Sequence, residues 1–209
     1  MIRTGMRLLG LGAALALTGC ASAPLHYYTL IAPADESAGG LVAAQSATPS
    51  LPFELLPVGI PAQVDQPQLV VREGGQAVAM LNSERWIAPL GDEVRSALSG
   101  DLARELHSQD VSGLPGNDKP LLRIKLDLRR FDSLPGSYAL IEGSWSVRVL
   151  HGTQPGVLVA CTSRISEAVG PGYAALVQGH QRAIGQLAAQ IAGAARALGN
   201  GQAAACPAG

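Results

Sequence analysis

Between Leu122 and Arg129 the chain alternates strictly. Leu122, Ile124, Leu126 and Leu128 are apolar, and Arg123, Lys125, Asp127 and Arg129 are charged. Successive side chains of an extended chain point to opposite faces, so this segment is a strand with one dry face and one wet face. Phe131 breaks the phase, which places a β-bulge near Arg129-Arg130. After a turn at Ser133-Leu134-Pro135-Gly136-Ser137 the period returns. Ile141, Trp145, Val147 and Val149 alternate with Glu142, Ser144, Ser146 and Arg148, with Gly143 on the apolar side. His151 to Gly156 turns the chain again. Val157, Val159, Cys161 and Ile165 then stand against Thr162, Arg164 and Ser166. Three such segments in succession form an antiparallel meander whose dry face needs a cover.

Two helical segments supply that cover. In Leu90–Leu106 the stripe is Leu90, Val94, Ala97, Leu98, Leu102 and Leu106. Pro89 fits the helix start, and Asp92 and Glu93 read as charges that favour the N-terminal end of the helix dipole. Tyr173–Leu198 carries Leu176, Val177, Ile184, Leu187, Ile191 and Leu198 among alanines, and Gly199 and Gly201 stop it. Upstream, His26–Ile31 and Phe53–Ile60 read as strands, although Pro57 disturbs the second. Gln68–Glu73 and Ala77–Leu81 flank Gly74-Gly75 as a hairpin. The order predicts an α+β fold: a mostly antiparallel sheet with two helices packed on it, in a single domain. Aromatic residues make up only 4% of the chain, so Leu, Val, Ile and Ala must fill the core.

The N-terminus sets the compartment. Arg3 and Arg7 precede the apolar run Leu8–Leu17, which has the layout of a secretory signal peptide and is too short to span a bilayer. Leu17-Thr18-Gly19-Cys20 resembles a lipobox, which makes Cys20 the expected lipidation site and residues 1–19 a signal peptide. Ala21, being other than Asp, resembles the sorting pattern for the periplasmic face of the outer membrane. Residues 20–52 then hold the anchor, the first strand and a flexible loop, 53–199 the globular remainder, and 200–209 a disordered tail. The chain carries a net charge of −1, and loss of Arg3 and Arg7 takes it to −3, so nothing favours nucleic acid as a partner.

No coherent catalytic set emerges. A Gly-x-Ser-x-Gly elbow and a phosphate-binding loop are both missing, and His26, His107, His151 and His180 are scattered without a second ligand at metal spacing. The expectation is a non-enzymatic protein with no cofactor and no metal. His180 reads as a packed or interface residue, Asp35-Glu36 as loop charge, and Arg129-Arg130 as a solvated strand face before a headgroup contact. Cys161 falls on the dry side of its strand and Cys206 in the tail. In a disulfide-permissive compartment they are either bonded to each other or free.

Two segments mix charge, proline and bulk: Ile60 to Arg72, containing Asp65-Gln66-Pro67-Gln68-Leu69-Val70-Val71-Arg72, and Arg85-Trp86-Ile87-Ala88-Pro89-Leu90. With Tyr28-Thr29-Leu30 and Gly172-Tyr173-Ala174-Ala175-Leu176-Val177, they resemble the PqiC-like family of ABC-type and MCE-linked transport auxiliary lipoproteins. Asp65, Pro67, Gln68, Leu69, Val70 and Arg72 match the first pattern. Arg85, Trp86, Pro89 and Leu90 match the second, whereas Ile87 and Ala88 depart from it. The resemblance implies a subunit of an intermembrane lipid-transport system that supports envelope integrity. Its implied partners are an MCE-domain protein, inner-membrane transporter subunits and further copies of itself. Asp65, Pro67, Gln68, Leu69, Arg72, Arg85, Trp86 and Pro89 become the expected interface or fold-defining positions. The alternative is a carrier of lipid or another hydrophobic ligand with its own pocket between sheet and helices.

Overall fold

The computed structural model describes residues 24–33, 50–115, 119–151 and 154–207. The signal peptide, Cys20, Ala21, Asp35-Glu36 and most of the predicted loop lie outside the described residues. The elements are β1 (His26–Tyr28), β2 (Phe53–Leu55), β3 (Gln68–Gly74), β4 (Ala77–Trp86), α1 (Leu90–Leu106), β5 (Leu121–Leu134), β6 (Tyr138–His151), β7 (Gln154–Ala168) and α2 (Tyr173–Gly199).

The meander forms as its alternation requires. β5, β6 and β7 pair antiparallel, with Leu126 opposite Trp145 and Trp145 opposite Cys161. The register slips between Leu128 and Arg130, where Phe131 had signalled a bulge. Gly143 lies opposite that slip. A Cβ there would stand 2.6 Å from the Asp127 carbonyl oxygen, so only glycine lets the two backbones approach this closely.

The strands are mostly antiparallel with two helices packed on them, as expected, but pairing upstream divides them between two sheets and adds two short parallel pairs. There are two mixed sheets, ordered β1-β4-β3 and β2-β5-β6-β7. β1 runs parallel to β4, and β2 parallel to β5. β1 ends at Tyr28 rather than Ile31. The expected 53–60 strand is regular only to Leu55, because Pro57 cannot donate to a ladder. It nonetheless follows β5, with Leu56 N donating to Ile124 O and Gly59 N to Leu126 O. β4 continues past Leu81 to Trp86, since residues 84–86 find a partner in β1. Beyond Leu128, β3 packs beside β5, bringing the smaller sheet against the larger.

Both helices cover the dry side. Every residue of the α1 stripe is buried. α2 packs on α1, β6 and β7. At Gly179 a Cβ would come within 2.3 Å of a Val169 methyl and 3.0 Å of the Ala139 Cβ, so a side chain there would force α2 away from its neighbours. One large cluster runs from Leu30 and Phe53 through the α1 leucines, the inner residues of β5–β7 and α2 to Leu198. Residues 202–207 carry no helix or strand, and Cys206 is bonded to Cys161 on β7.

That bond closes a loop of 45 residues containing α2. Cys206→Ser leaves the buried Cys161 in place and releases the closure, so the expected loss is about 2–4 kcal/mol. Urea unfolding of the two proteins under oxidising conditions measures it, and added reductant should bring the parent to the variant's value.

Candidate functional site

The two singled-out segments meet. Trp86 N donates to Pro67 O at 2.9 Å, and Gln68 lies opposite Arg85. On the other side of β4, Tyr28 lies opposite Trp86, and Ile87 N donates to Tyr28 O at 2.9 Å. Thus Tyr28, Pro67 and Trp86 sit at one three-strand junction. The approach to β3 is a tight turn in which Val64 N and Asp65 N both donate to Pro61 O. Asp65–Pro67 and Trp86–Pro89 form the walls of a cleft of about 340 Å³, with Ile87 exposed on its rim.

Behind the cleft, Trp86 is part of the core. Its ring meets Phe131 of β5 edge-on, with centroids 6.1 Å apart, and Phe131 stacks flat on His180 of α2 at 3.9 Å. His180 Nε2 and Ser133 Oγ share a hydrogen bond of 2.8 Å. His180 Nδ1 is buried with no hydrogen-bond partner among the described residues. Burial pushes the imidazole down to about 3, with the Asp132 charge acting in the opposite direction.

Two buried carboxylates hold the segment that follows the expected anchor. Glu84 accepts hydrogen bonds from Tyr28 Oη at 2.7 Å and Ser83 Oγ at 3.3 Å, and pairs with His26 Nδ1 at 2.9 Å. Burial raises its pKa, but the bonds from His26 and Tyr28 outweigh it and leave the carboxyl below its ordinary value. Burial and the Glu84 bond push the Tyr28 hydroxyl up to about 12. Glu93 accepts from Thr29 Oγ1 at 2.8 Å and from Leu30 N at 2.7 Å. The expectation for Glu93 as helix-end charge is therefore incomplete. It does stand in the first turn of α1, but it is buried and satisfies the incoming chain.

Arg72 leaves the cleft and reaches across to the larger sheet. Its Nη2 donates to both oxygens of Asp132, at 3.1 and 3.2 Å, while Arg130 donates to the same carboxylate. Burial raises the Asp132 pKa, and the two arginines more than reverse this, holding the carboxyl below its ordinary value. Arg130 is accordingly half-buried and paired, whereas Arg129 is the solvated residue of the pair. These groups line a groove of about 410 Å³ with Val64, Val70 and Val78 on its apolar side.

Asp65, Pro67, Trp86 and Pro89 thus share one cleft, Gln68 and Arg85 pair beside it, and Leu69 is buried beneath. Arg72 lines the neighbouring groove. Cys161 and Cys206 lie against Trp145 on a different surface, and Cys20 lies outside the described residues. Sequence reasoning missed His26, Glu84, Phe131, Asp132 and Ser133 as partners. The one local signal was the break in alternation at Phe131. Among the described residues, no three His, Cys, Asp or Glu side chains gather as metal ligands, and no helix is long and apolar enough to cross a membrane.

These features define a small two-helix, two-sheet domain whose ordered N-terminal strand is fastened to its body by buried carboxylates. The chain belongs to the family of ABC-type transport auxiliary lipoprotein components, whose pattern matches residues 28–192. Among solved structures it is similar to an uncharacterized protein at TM-score 0.59 and 18% identity, covering 81% of this chain and 97% of that one. It is also similar to a Xanthomonas campestris protein at TM-score 0.53 and 16% identity, covering 75% of this chain and 91% of that one. These likenesses establish the fold. No curated protein matches the sequence closely enough to count as a relative.

Neutral His180 makes the fold acid-sensitive. Below its ordinary value of 6.5 the unfolded chain takes up a proton that the folded chain refuses until about 3. Its contribution is fully present above that window and is lost as pH falls through it, by up to about 1.4 kcal/mol per pH unit. Between about pH 7 and about pH 4, His180→Leu should therefore lose less stability to urea than the parent does. Equal losses would show that His180 is charged in the folded state.

Proposed function

We propose that the protein is a non-enzymatic, lipid-anchored subunit of an intermembrane lipid-transport system, held by Cys20 at the periplasmic face of the outer membrane. It docks there against the periplasmic part of the transporter, an MCE-domain protein working with inner-membrane subunits, and assembles with further copies of itself. The observation that carries this reading is the clamp of Glu84 and Glu93 on residues 26–30. A chain tethered only through a slack leader would wander. A clamp six residues after the lipidated Cys instead sets the body at a fixed place beside the membrane, which suits an end-piece that a conduit must find. The family's role in transport supports the same assignment.

The runner-up is a carrier with its own binding site, and the groove between β3 and β5 is the observation in its favour. Lipid co-purifying with the full chain, and lost in Val70→Glu, would select that reading instead.

In living cells, Cys20→Ala should leave the protein in the soluble periplasmic fraction and abolish complementation of an envelope-barrier defect. A photo-crosslinker at Leu158, exposed on edge strand β7, should capture a transporter subunit. Full complementation by the soluble Cys20→Ala form would overturn anchored docking.

A further inference from the structure

The small sheet has an inner face and an outer face. Val71, Ala79 and Leu81 pack inward with Ala139, Val169 and Leu176, and Trp86 packs into the main core. Alternation sends Val70 and Arg72 of β3 to the outer face. Val70 lies opposite Met80, Arg72 opposite Val78, and Gln68 opposite Arg85, so the irregular stretch of β4 between Met80 and Arg85 returns Arg85 to that same face. Tyr27 lies opposite Arg85 on the other flank. Leu25 and Ile87 continue the face by the same alternation.

This face is apolar where a monomer in water would be polar. Leu25, Tyr27, Val78, Met80 and Ile87 are each between 49% and 61% exposed. Five large exposed apolar side chains on and beside one three-stranded sheet are of the kind that marks an interaction surface. Its charged members are cationic. Arg85 donates to the Asn82 carbonyl and meets no carboxylate among the described residues, and Arg72 shares Asp132 with Arg130. The acidic residues of these strands are elsewhere: Glu84 is buried on the inner side, and Glu73 sits by the hairpin turn.

The position of the tether names the occupant. Cys20 and Leu25 are five positions apart, a reach of at most about 18 Å even when fully extended. Because β1 is parallel to β4 with His26 opposite Glu84, the N-terminal segment leaves the sheet beside the C-terminal half of β4, between the positions of Met80 and Ile87. A lipid on Cys20 would therefore hold the bilayer within about 18 Å of the β1 edge, which borders the outer face of the smaller sheet. Tyr suits the headgroup level, Met and Val suit the acyl boundary, and Arg attracts anionic headgroups.

We propose that the outer face of the β1-β4-β3 sheet lies on the anionic lipid surface that holds the Cys20 anchor, with Tyr27, Val78 and Met80 entering the headgroup layer and Arg85 meeting lipid phosphates. The free edge of the larger sheet at β7 is then left to protein partners. This inference rests on the lipid-anchor reading above.

The test uses the full lipidated protein in vesicles of phosphatidylethanolamine and phosphatidylglycerol whose acyl chains carry bromine near the glycerol. Met80→Trp and, as an independent position, Val78→Trp place an indole on the face, and Leu158→Trp places one on β7. After subtraction of the parent signal, bromine should quench the first two severalfold more than the third, and less so when phosphatidylcholine replaces the anionic lipid. Equal quenching at all three positions overturns the proposal, as does a blue-shifted but unquenched indole at 80 and 78, which would mean that protein covers the face. Equal quenching in the two lipid mixtures overturns the role given to Arg85. Vesicle flotation separates the two readings. Protein that floats while residues 80 and 78 stay unquenched sinks the membrane face alone, and protein that does not float sinks the anchor and the face together.

Discussion

Trp86, Phe131 and His180 stand in a line, one from the small sheet, one from the large sheet and one from the long helix. The chain has few aromatic residues, so joining three elements through rings concentrates much of the available large apolar surface at one point. Edge-on and stacked pairs are favourable beyond the area they bury. The imidazole is the costly member, because its second nitrogen is buried with no partner among the described residues. It stays because it does two things at once, stacking on Phe131 and reaching Ser133. A purely apolar side chain would stack and leave Ser133 unsatisfied.

The junction in front of those rings explains why the two segments are spelled as they are. Pro67 gives its carbonyl to Trp86 and needs no donor of its own at the start of β3. Trp86 ends β4 and fills the core, and Pro89 starts α1 three residues later. Between them, Tyr28 completes the junction from the N-terminal side and is tied down by Glu84. Strand pairing with β1 and the fastening of the tether are therefore one structural event. The same residues that define the fold determine where the N-terminal segment leaves it.

Much of this was legible in the sequence, and the divide has a physical cause. The β5–β7 meander, its bulge and both helices were readable because each is encoded by a local period set by burial on one side. The parallel pairs were not. β1 and β2 are three residues each, and nothing within three residues says that a partner lies some 58 or 69 positions away. The two-sheet arrangement follows from those pairs, so it was hidden with them. The motif residues could be recognised as special without their partners being known. Arg72 was conspicuous, but Asp132, which it binds, lies in a strand whose pattern already had an explanation.

Glu84 and Glu93 show the limit most sharply. Glu84 lay beyond the expected end of its strand at Leu81 and carried no signal of its own, and Glu93 read as charge at a helix end. A carboxylate is buried at tolerable cost only when hydrogen bonds replace its water. Glu84 receives them from Tyr28, Ser83 and His26, and Glu93 from Thr29 and a backbone amide. All but one of those groups lie in the stretch from His26 to Leu30. The dependence runs both ways: the carboxylates are tolerable inside because the N-terminal segment docks, and the segment docks because the carboxylates are there. Loss of either side leaves buried charge without partners, so docking of this segment is cooperative.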